Sequence, residues 1–186
     1  MASVHAAANP RFPAQLLAKA RPIKVVFFDV DGVLTDGSLW FSDAGETMKR
    51  FNTLDGHGLK LLQRAGITPA VITGRDSGAL RNRLTALGVT HARFGTEDKL
   101  PAANELLAEL GLNWSQAGAM GDDWPDLPML VRAALACVPA TAHVDVLSHA
   151  HFTPAASAGN GAVRELCDLL LHAAGTFDAM LQEALQ

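Results

Sequence analysis

The sequence predicts an α/β fold, a Rossmann-like and mostly parallel sheet with helices on both faces. The first reason is the apolar run at residues 23–29, which is continuous rather than alternating, as in a strand buried on both sides of a sheet. The second is that strand-length apolar runs alternate with segments of helical length, which is the pattern of βαβ units. The third is that Gly66, Gly88 and Gly111 follow helical segments, where glycine commonly ends a helix.

Composition narrows the classes of protein. The chain has 186 residues, of which 49% are hydrophobic and 18% are charged, so it can bury a sizeable core and wholesale disorder is excluded. Its net charge of −4 disfavours a general nucleic-acid-binding protein, which carries a basic surface. No stretch approaches the roughly 18 apolar residues of a membrane span, and the N-terminus has no signal-peptide pattern. We therefore expect a cytoplasmic protein with no nucleic-acid or membrane partner.

The chain is predicted to form a single domain preceded by an extension. Residues 1–22 are Ala-rich and interrupted by prolines, which indicates an N-terminal extension with one short helix at 14–20. Residues 23–186 are predicted to form the domain. Within it, 38–52 has the turn residues of a β-hairpin, and 175–186 is predicted to be an amphipathic tail.

The remaining elements follow from apolar spacing and from residues that begin or end helices. Strands are predicted at residues 67–73, 89–94, 117–121 and 135–138. Helices are predicted at residues 56–65, 77–87, 99–110, 126–134 and 161–174.

Polar residues stand where several of the predicted strands end. Asp29 and Asp31 follow the first strand, and Thr73 ends the second strand of the sheet. Lys99 opens the helix after the third strand, and Asp122 follows the fourth. Because the carboxyl ends of parallel strands meet at one edge of a sheet, these side chains are expected in one crevice. Carboxylates there would hold a hard cation such as Mg²⁺, and hydroxyl and ammonium groups would hold a phosphoryl group beside it.

Four motifs in this order resemble those of the haloacid dehalogenase-like phosphatases. They are DVDGVLT, VITGR, Lys99 and GDDWPD, and the match covers residues 23 to about 165. The resemblance implies that residues 23–186 form a catalytic domain of that superfamily.

The resemblance also implies a role for each matched residue. Asp29 would attack phosphorus and form an aspartyl-phosphate, and Asp31 would protonate the leaving group and then activate water. Asp29, the main-chain carbonyl of Asp31, and Asp122 would bind Mg²⁺. Thr73 and Lys99 would contact the phosphoryl group.

The spacing of the motifs leaves no room for a cap domain. Asp31 and Thr73 are separated by 41 residues, and Thr73 and Lys99 by 25, which the predicted hairpin, helices and strands already fill. An uncapped site is open to water unless something else covers it. The hairpin and the tail at 176–186 are the candidates.

Two longer segments, TDGSLWFSDAGETMKRFNTLDGHGLKLL and GNGAVRELCDLLL, resemble the 3-deoxy-D-manno-octulosonate 8-phosphate phosphatases, a capless family of this superfamily. This resemblance implies a homotetramer in which the hairpins form a central barrel and a neighbour's tail helps to close the site. It implies an acidic eight-carbon sugar phosphate as substrate, with a product used in lipopolysaccharide synthesis. The substrate-binding residues that we expect are Asp31, Thr35, Asp55, Lys60, Gly74, Arg75 and Lys99, with Arg164 as a further candidate.

Two alternatives remain open at this point. A phosphatase for a nine-carbon nonulosonate 9-phosphate would share the capless layout. A catalytically inactive module, retained for tetramer formation, would share the hairpin.

Overall fold

The computed structural model describes residues 11–186, and a five-stranded parallel sheet lies at its centre. In chain order the strands are β1 (Val25–Phe28), β2 (Trp40–Ser42), β3 (Gly45–Met48), β4 (Thr68–Ile72), β5 (His91–Arg93), β6 (Ala117–Met120) and β7 (Leu135–Cys137). The helices are α1 (Ala14–Ala20), α2 (Thr53–Arg64), α3 (Gly78–Leu87), α4 (Lys99–Leu110), α5 (Leu127–Leu130), α6 (Val144–Leu147), α7 (Ala162–Ala174) and α8 (Phe177–Ala184).

The central sheet has the order β5-β4-β1-β6-β7, and all of its neighbouring strands run parallel. β1 lies in the middle, with Val25 opposite Thr68 of β4 on one side and Ala117 of β6 on the other. The predicted α/β class is therefore confirmed.

Helices cover both faces of the sheet, and β1 contributes side chains to each. Val26 and Phe28 belong to a core cluster with residues of α2, α3 and α7, whereas Val25 and Phe27 belong to a second cluster with residues of α4 and α5. All four side chains of β1 are fully buried. The continuous apolar run in the sequence thus reflects burial on two faces, as parallel strands require.

Most predicted elements lie within a few residues of the observed ones, and the largest difference concerns 126–134. There α5 covers only Leu127–Leu130 and follows a 3₁₀ turn at Trp124–Asp126. Pro125 and Pro128 are the second residues of these two turns. Because proline lacks an N–H, it favours the start of a helical turn and not its interior. The short α6 was not predicted.

The N-terminal segment packs on the domain as far as it is described. α1 occupies the predicted residues and contacts α7. Phe12 is buried in the core, and its ring is tilted against that of His172 with 5.7 Å between the ring centroids. Arg11 pairs with Asp168 at 2.8 Å. The first ten residues of the predicted extension lie outside the described residues.

The hairpin and the tail occupy separate places. β2 and β3 form their own two-stranded antiparallel sheet, with Trp40, Phe41 and Met48 exposed. α8 packs on α7, where Phe177 stacks on His172 at 3.9 Å between ring centroids. Among residues 11–186, no helix is long and apolar enough to cross a membrane.

Candidate active site

A cleft of about 630 Å³ opens where β1, β4 and β6 end. Its lining consists of Asp29, Asp31, Thr73, Gly74, Arg75, Glu97, Lys99, Asp122, Asp123, Pro125 and Asp126. Nine of the residues singled out from the sequence are in this set, including Asp123 and Asp126, which we expected to orient the metal site and Lys99. The parallel strands bring them together because their carboxyl ends share one edge of the sheet. Glu97 and Pro125 were not predicted to lie here.

Lys99 joins two carboxylates at the floor of the cleft. Its Nζ donates to Asp29 Oδ1 and to Asp126 Oδ1, at 2.6 Å each, and only 4% of its side chain is exposed. Burial acts to lower the pKa of Lys99, but the charges of Asp126 and Asp29 outweigh it, so the pKa lies above its ordinary value. Lys99 is therefore a fixed positive charge beside Asp29.

The loop after β6 is held by the second oxygen of Asp126. Oδ2 accepts hydrogen bonds from the main-chain N–H groups of Asp122 at 2.9 Å and Asp123 at 3.3 Å. Gly121 makes this close approach possible, since a Cβ there would lie 2.3 Å from Asp126 Cβ. Asp126 thus links the loop to Lys99, which places Asp122 opposite Asp29.

Three carboxylates form a cluster that could hold a cation. One oxygen each of Asp29, Asp122 and Asp126 lie within 4.8 Å of one another. Within the described part of the chain, Asp122 Oδ1 is buried and accepts no hydrogen bond. An unpaired buried carboxylate oxygen is costly, and an all-oxygen donor set is what Mg²⁺ prefers. The residues present therefore fit a magnesium ion.

The pKa values of these carboxylates are raised because the acidic groups are buried close to one another. Burial, assisted by the charge of Asp126, raises the pKa of Asp29 to about 6, although Lys99 acts against this rise. Burial together with Asp29 raises the pKa of Asp122 to about 7. Like charges in a buried site disfavour full ionisation, and a bound cation would relieve that cost.

Asp31 faces a different set of partners on the hairpin side of the cleft. Lys49 Nζ donates to its Oδ1 at 2.5 Å, and Arg75 Nε lies 3.6 Å from its Oδ2. Lys49 also pairs with Glu46 at 2.9 Å. Sequence reasoning missed Lys49 and Glu46, because they belong to a peripheral hairpin and no motif connects them to Asp31.

Thr73 and Gly74 form a turn at the end of β4. Thr73 Oγ1 accepts a hydrogen bond from the main-chain N–H of Arg75 at 3.2 Å. Because the Thr73 oxygen already serves as an acceptor, its own proton can be donated to another group.

Three predicted substrate-binding residues lie elsewhere. Thr35 is buried and its Oγ1 accepts from the N–H of Gly37 at 3.2 Å, so it stabilises the loop after β1. Lys60 is exposed on α2 and does not line the cleft. The structure therefore gives neither residue a place at this cleft.

Asp55 is the third of these residues. Its carboxylate is buried and accepts hydrogen bonds from the N–H groups of Gly161 at 3.2 Å and Arg164 at 2.9 Å, at the start of α7. A carboxylate commonly satisfies free N–H groups at such a helix start. Arg164, also considered for the sugar, pairs with Asp168 at 2.7 Å and lies outside the cleft.

Comparison with known proteins identifies the family. The chain is 40% identical over 156 residues to the 3-deoxy-D-manno-octulosonate 8-phosphate phosphatase of Yersinia pestis, which covers 84% of this chain and 83% of that protein. The chain belongs to the 3-deoxy-D-manno-octulosonate 8-phosphate phosphatase family. The resemblance read from the motifs is thereby confirmed.

Solved structures of this phosphatase family have the same fold. The enzyme from Moraxella catarrhalis, in complex with magnesium, phosphate and the octulosonate sugar, is 37% identical with a TM-score of 0.88, covering 92% of this chain and 98% of that one. The cobalt-bound enzyme from Haemophilus influenzae is 36% identical with a TM-score of 0.86, covering 90% and 99%. No protein-family model matches the chain.

Proposed function

We propose that the protein is a Mg²⁺-dependent phosphatase that hydrolyses 3-deoxy-D-manno-octulosonate 8-phosphate to the free sugar acid and phosphate. The observation that carries the chemistry is the contact of Lys99 with both Asp29 and Asp126, beside the unpaired Asp122 oxygen. Membership of the phosphatase family, including the Yersinia pestis enzyme, carries the choice of substrate.

The metal would be held by Asp29, Asp122 and the main-chain carbonyl of Asp31. Asp126 would orient the site from beside it, because its two oxygens already bind Lys99 and the main-chain N–H groups of the loop. When bound, Mg²⁺ supplies positive charge that reduces the repulsion between an anionic nucleophile and an anionic phosphate ester. The remaining chemistry belongs to side chains of the cleft.

In the first step, a carboxylate oxygen of Asp29 attacks phosphorus and the bond from phosphorus to the sugar oxygen breaks. The departing oxygen takes a proton from the carboxyl group of Asp31, so a neutral sugar alcohol leaves and Asp31 becomes a carboxylate. Lys99 balances the charge on Asp29 and on the transferred group, while Thr73 donates its hydroxyl proton to a phosphoryl oxygen.

In the second step, water attacks the phosphorus of the aspartyl-phosphate. Asp31 removes a proton from that water, the bond from phosphorus to Asp29 breaks, and inorganic phosphate is released. Asp29 is again a carboxylate and Asp31 is again protonated. One residue can serve both steps because each step needs the protonation state that the other produces.

Arg75 is the cation proposed to meet the sugar. It lines the cleft, and 45% of its side chain is exposed. An exposed guanidinium has the planar donor geometry that suits carboxylate and hydroxyl oxygens.

We further propose that the protein is a homotetramer assembled through the hairpin, and that it works in the cytoplasm as an enzyme of lipopolysaccharide synthesis. Trp40, Phe41 and Met48 support the assembly, since each is more than half exposed on a short two-stranded sheet. Adjacent exposed apolar side chains of this kind commonly mark an interface.

Phosphate release from a panel of substrates tests the proposed function. The panel contains the eight-carbon acid 8-phosphate, a nine-carbon nonulosonate 9-phosphate and simple hexose phosphates, each with Mg²⁺ or with EDTA. We expect kcat/KM for the eight-carbon substrate to exceed the others by about 100-fold, with activity lost in EDTA and restored by Mg²⁺.

Two results would contradict this proposal. Preference for the nine-carbon substrate would support the alternative sugar acid. Absence of phosphate release from every substrate, by a folded protein, would favour the inactive tetramerisation module.

A further inference from the structure

A buried lysine connects the exposed hairpin to the cleft. Only 1% of the Lys49 side chain is exposed, whereas the neighbouring Met48 is 58% exposed. Its Nζ lies 2.5 Å from Asp31 Oδ1 and 2.9 Å from Glu46 Oε1. A buried ammonium needs such partners to offset the loss of water, so the two carboxylates fix its position.

Asp31, Glu46, Lys49 and Arg75 together form a four-residue charge ring. Arg75 closes it, with Nε 3.6 Å from Asp31 Oδ2 and Nη1 3.9 Å from Glu46 Oε2. Each oxygen of Asp31 thus faces a different cation, and the formal charges of the ring sum to zero when Asp31 is a carboxylate, its state after the first step.

The two cations of the charge ring differ in freedom. Lys49 is enclosed and makes the shorter contact, whereas Arg75 is 45% exposed and stands further from both carboxylates. Arg75 can therefore turn towards a substrate at little cost, while Lys49 cannot. The persistent constraint on the Asp31 carboxylate comes from Lys49.

We propose that Lys49 is a positioning residue for Asp31, which brings the hairpin into the chemistry of the cleft. By holding Oδ1, Lys49 fixes the carboxyl plane and leaves Oδ2, on the Arg75 side, for the oxygen of the leaving group. A general acid must lie within hydrogen-bond distance of the atom that it protonates. The inference rests on the proposed role of Asp31, and Lys49 acts through Asp31 because no described residue of 38–52 lines the cleft.

Arg50 provides a matched control on the same hairpin. It pairs with Asn160 at 2.6 Å and with Asp36 at 3.3 Å. It therefore attaches the hairpin to the domain through partners other than Asp31. Loss of attachment and loss of Asp31 orientation can be separated by comparing Lys49→Met with Arg50→Met.

The test uses kcat/KM for two esters, the sugar phosphate and p-nitrophenyl phosphate. An alkyl oxygen needs a proton to leave, whereas p-nitrophenolate leaves readily without one. We expect Lys49→Met to lower kcat/KM by about 30-fold or more for the sugar phosphate and by less than about threefold for the aryl phosphate. Arg50→Met should lower both values by the same small factor, and Lys49→Arg should restore part of the loss.

Glu46→Gln is a second variant, close in shape, that keeps the test decisive if Lys49→Met does not fold. We again expect kcat/KM to fall more for the sugar phosphate than for the aryl phosphate. The loss should be smaller than in Lys49→Met, because Lys49 loses only its second charged partner. Equal losses for both esters in Lys49→Met or Glu46→Gln, or a Lys49→Met that matches Arg50→Met, would overturn the positioning role. Failure of the wild type to hydrolyse either ester would instead contradict the proposed function.

Discussion

Asp29 and Asp31 are two positions apart and meet opposite surroundings. Asp29 points to Lys99 and the acidic cluster, whereas Asp31 points to Lys49 on the hairpin and to Arg75. These surroundings suit the roles proposed for the two residues, with Asp29 as the nucleophile beside the cation site and Asp31 as the acid on the leaving-group side. Because both residues are aspartates, the difference in their proposed roles comes from their neighbours.

The partners of Asp29 could be predicted from the sequence better than the partners of Asp31. Thr73 and Lys99 could be expected near Asp29, because strand ends and the following helix start meet at one edge of a parallel sheet. The contact between Lys49 and Asp31 depends on how the hairpin packs against the domain, and the spacing of apolar residues in the sequence does not predict that. The position of Asp55 was not predicted for a similar reason, since only the packing of α2 on α7 shows that its carboxylate faces a helix start.

The raised pKa values of Asp29 and Asp122 predict a pH-dependent affinity for Mg²⁺. Each carboxylate must lose its proton to bind a cation, and these pKa values are raised to about 6 and about 7. Calorimetry at about pH 5.5 and about pH 7.5 should show at least about tenfold tighter binding at the higher pH, with proton release at the lower one.

The raised pKa of Asp122 also determines how the stability of the metal-free protein changes with pH. Between pH 3.8, the ordinary pKa of this carboxyl group, and about pH 7, its raised pKa, the folded chain holds protons at Asp122 that the unfolded chain has lost. The contribution of this group to stability is therefore present at low pH and is lost as the pH rises through about 7.

In the calorimetry, equal Mg²⁺ affinity at about pH 5.5 and about pH 7.5 would contradict the assignment of these carboxylates to the cation.

At the scale of elements, α2 and α7 pack directly against each other. Gly58 of α2 faces α7 so closely that a Cβ would lie 3.0 Å from Cys167 Sγ and 3.2 Å from Arg164 Cδ. Both partners are held, since Cys167 is fully buried and Arg164 pairs with Asp168. The sequence showed two glycines in a helix without showing what they approach.

Gly58→Ala is expected to destabilise the fold despite the higher helix propensity of alanine. That propensity favours the variant by about 1 kcal/mol, but overpacking a fixed interface costs about 1–3 kcal/mol. Gly78→Ala in α3 is the control, because its added Cβ meets nothing within 4 Å and it should be neutral or slightly stabilising. Urea unfolding gives the free energy of unfolding of both variants. If Gly58→Ala is as stable as Gly78→Ala, α7 can move to accommodate the added methyl group and the prediction is wrong.

At the scale of the whole molecule, no cap domain covers the cleft within residues 11–186. Only the hairpin and α2 lie between β1 and β4, and among the described residues no part of α8 lines the cleft. α8 instead lies on its own domain, with Arg64 and Glu183 paired at 2.6 Å. Among the described residues, the tail therefore does not cover the cleft of its own chain. The exposed apolar side chains of the hairpin support the tetramer proposed above.

The tetramer proposed from this surface can be measured directly. Light scattering at micromolar concentration should give four times the chain mass of 19.6 kDa. Phe41→Glu should shift the protein towards smaller species, because a charge at a buried interface is costly. Val131→Lys, an exposed apolar position away from the hairpin, is the control and should leave the mass unchanged. A wild type that scatters as a 19.6 kDa monomer would refute the assembly.

The central claim is that Asp29 attacks the phosphate ester, and removal of its charge tests that claim most directly. Phosphate release from the eight-carbon acid 8-phosphate with Mg²⁺ is compared for the wild type, Asp29→Asn and the exposed hairpin variant Asp43→Asn. We expect Asp29→Asn to lose at least about 1,000-fold in kcat while Asp43→Asn keeps wild-type activity. A folded Asp29→Asn that retains most of the activity would contradict the mechanism.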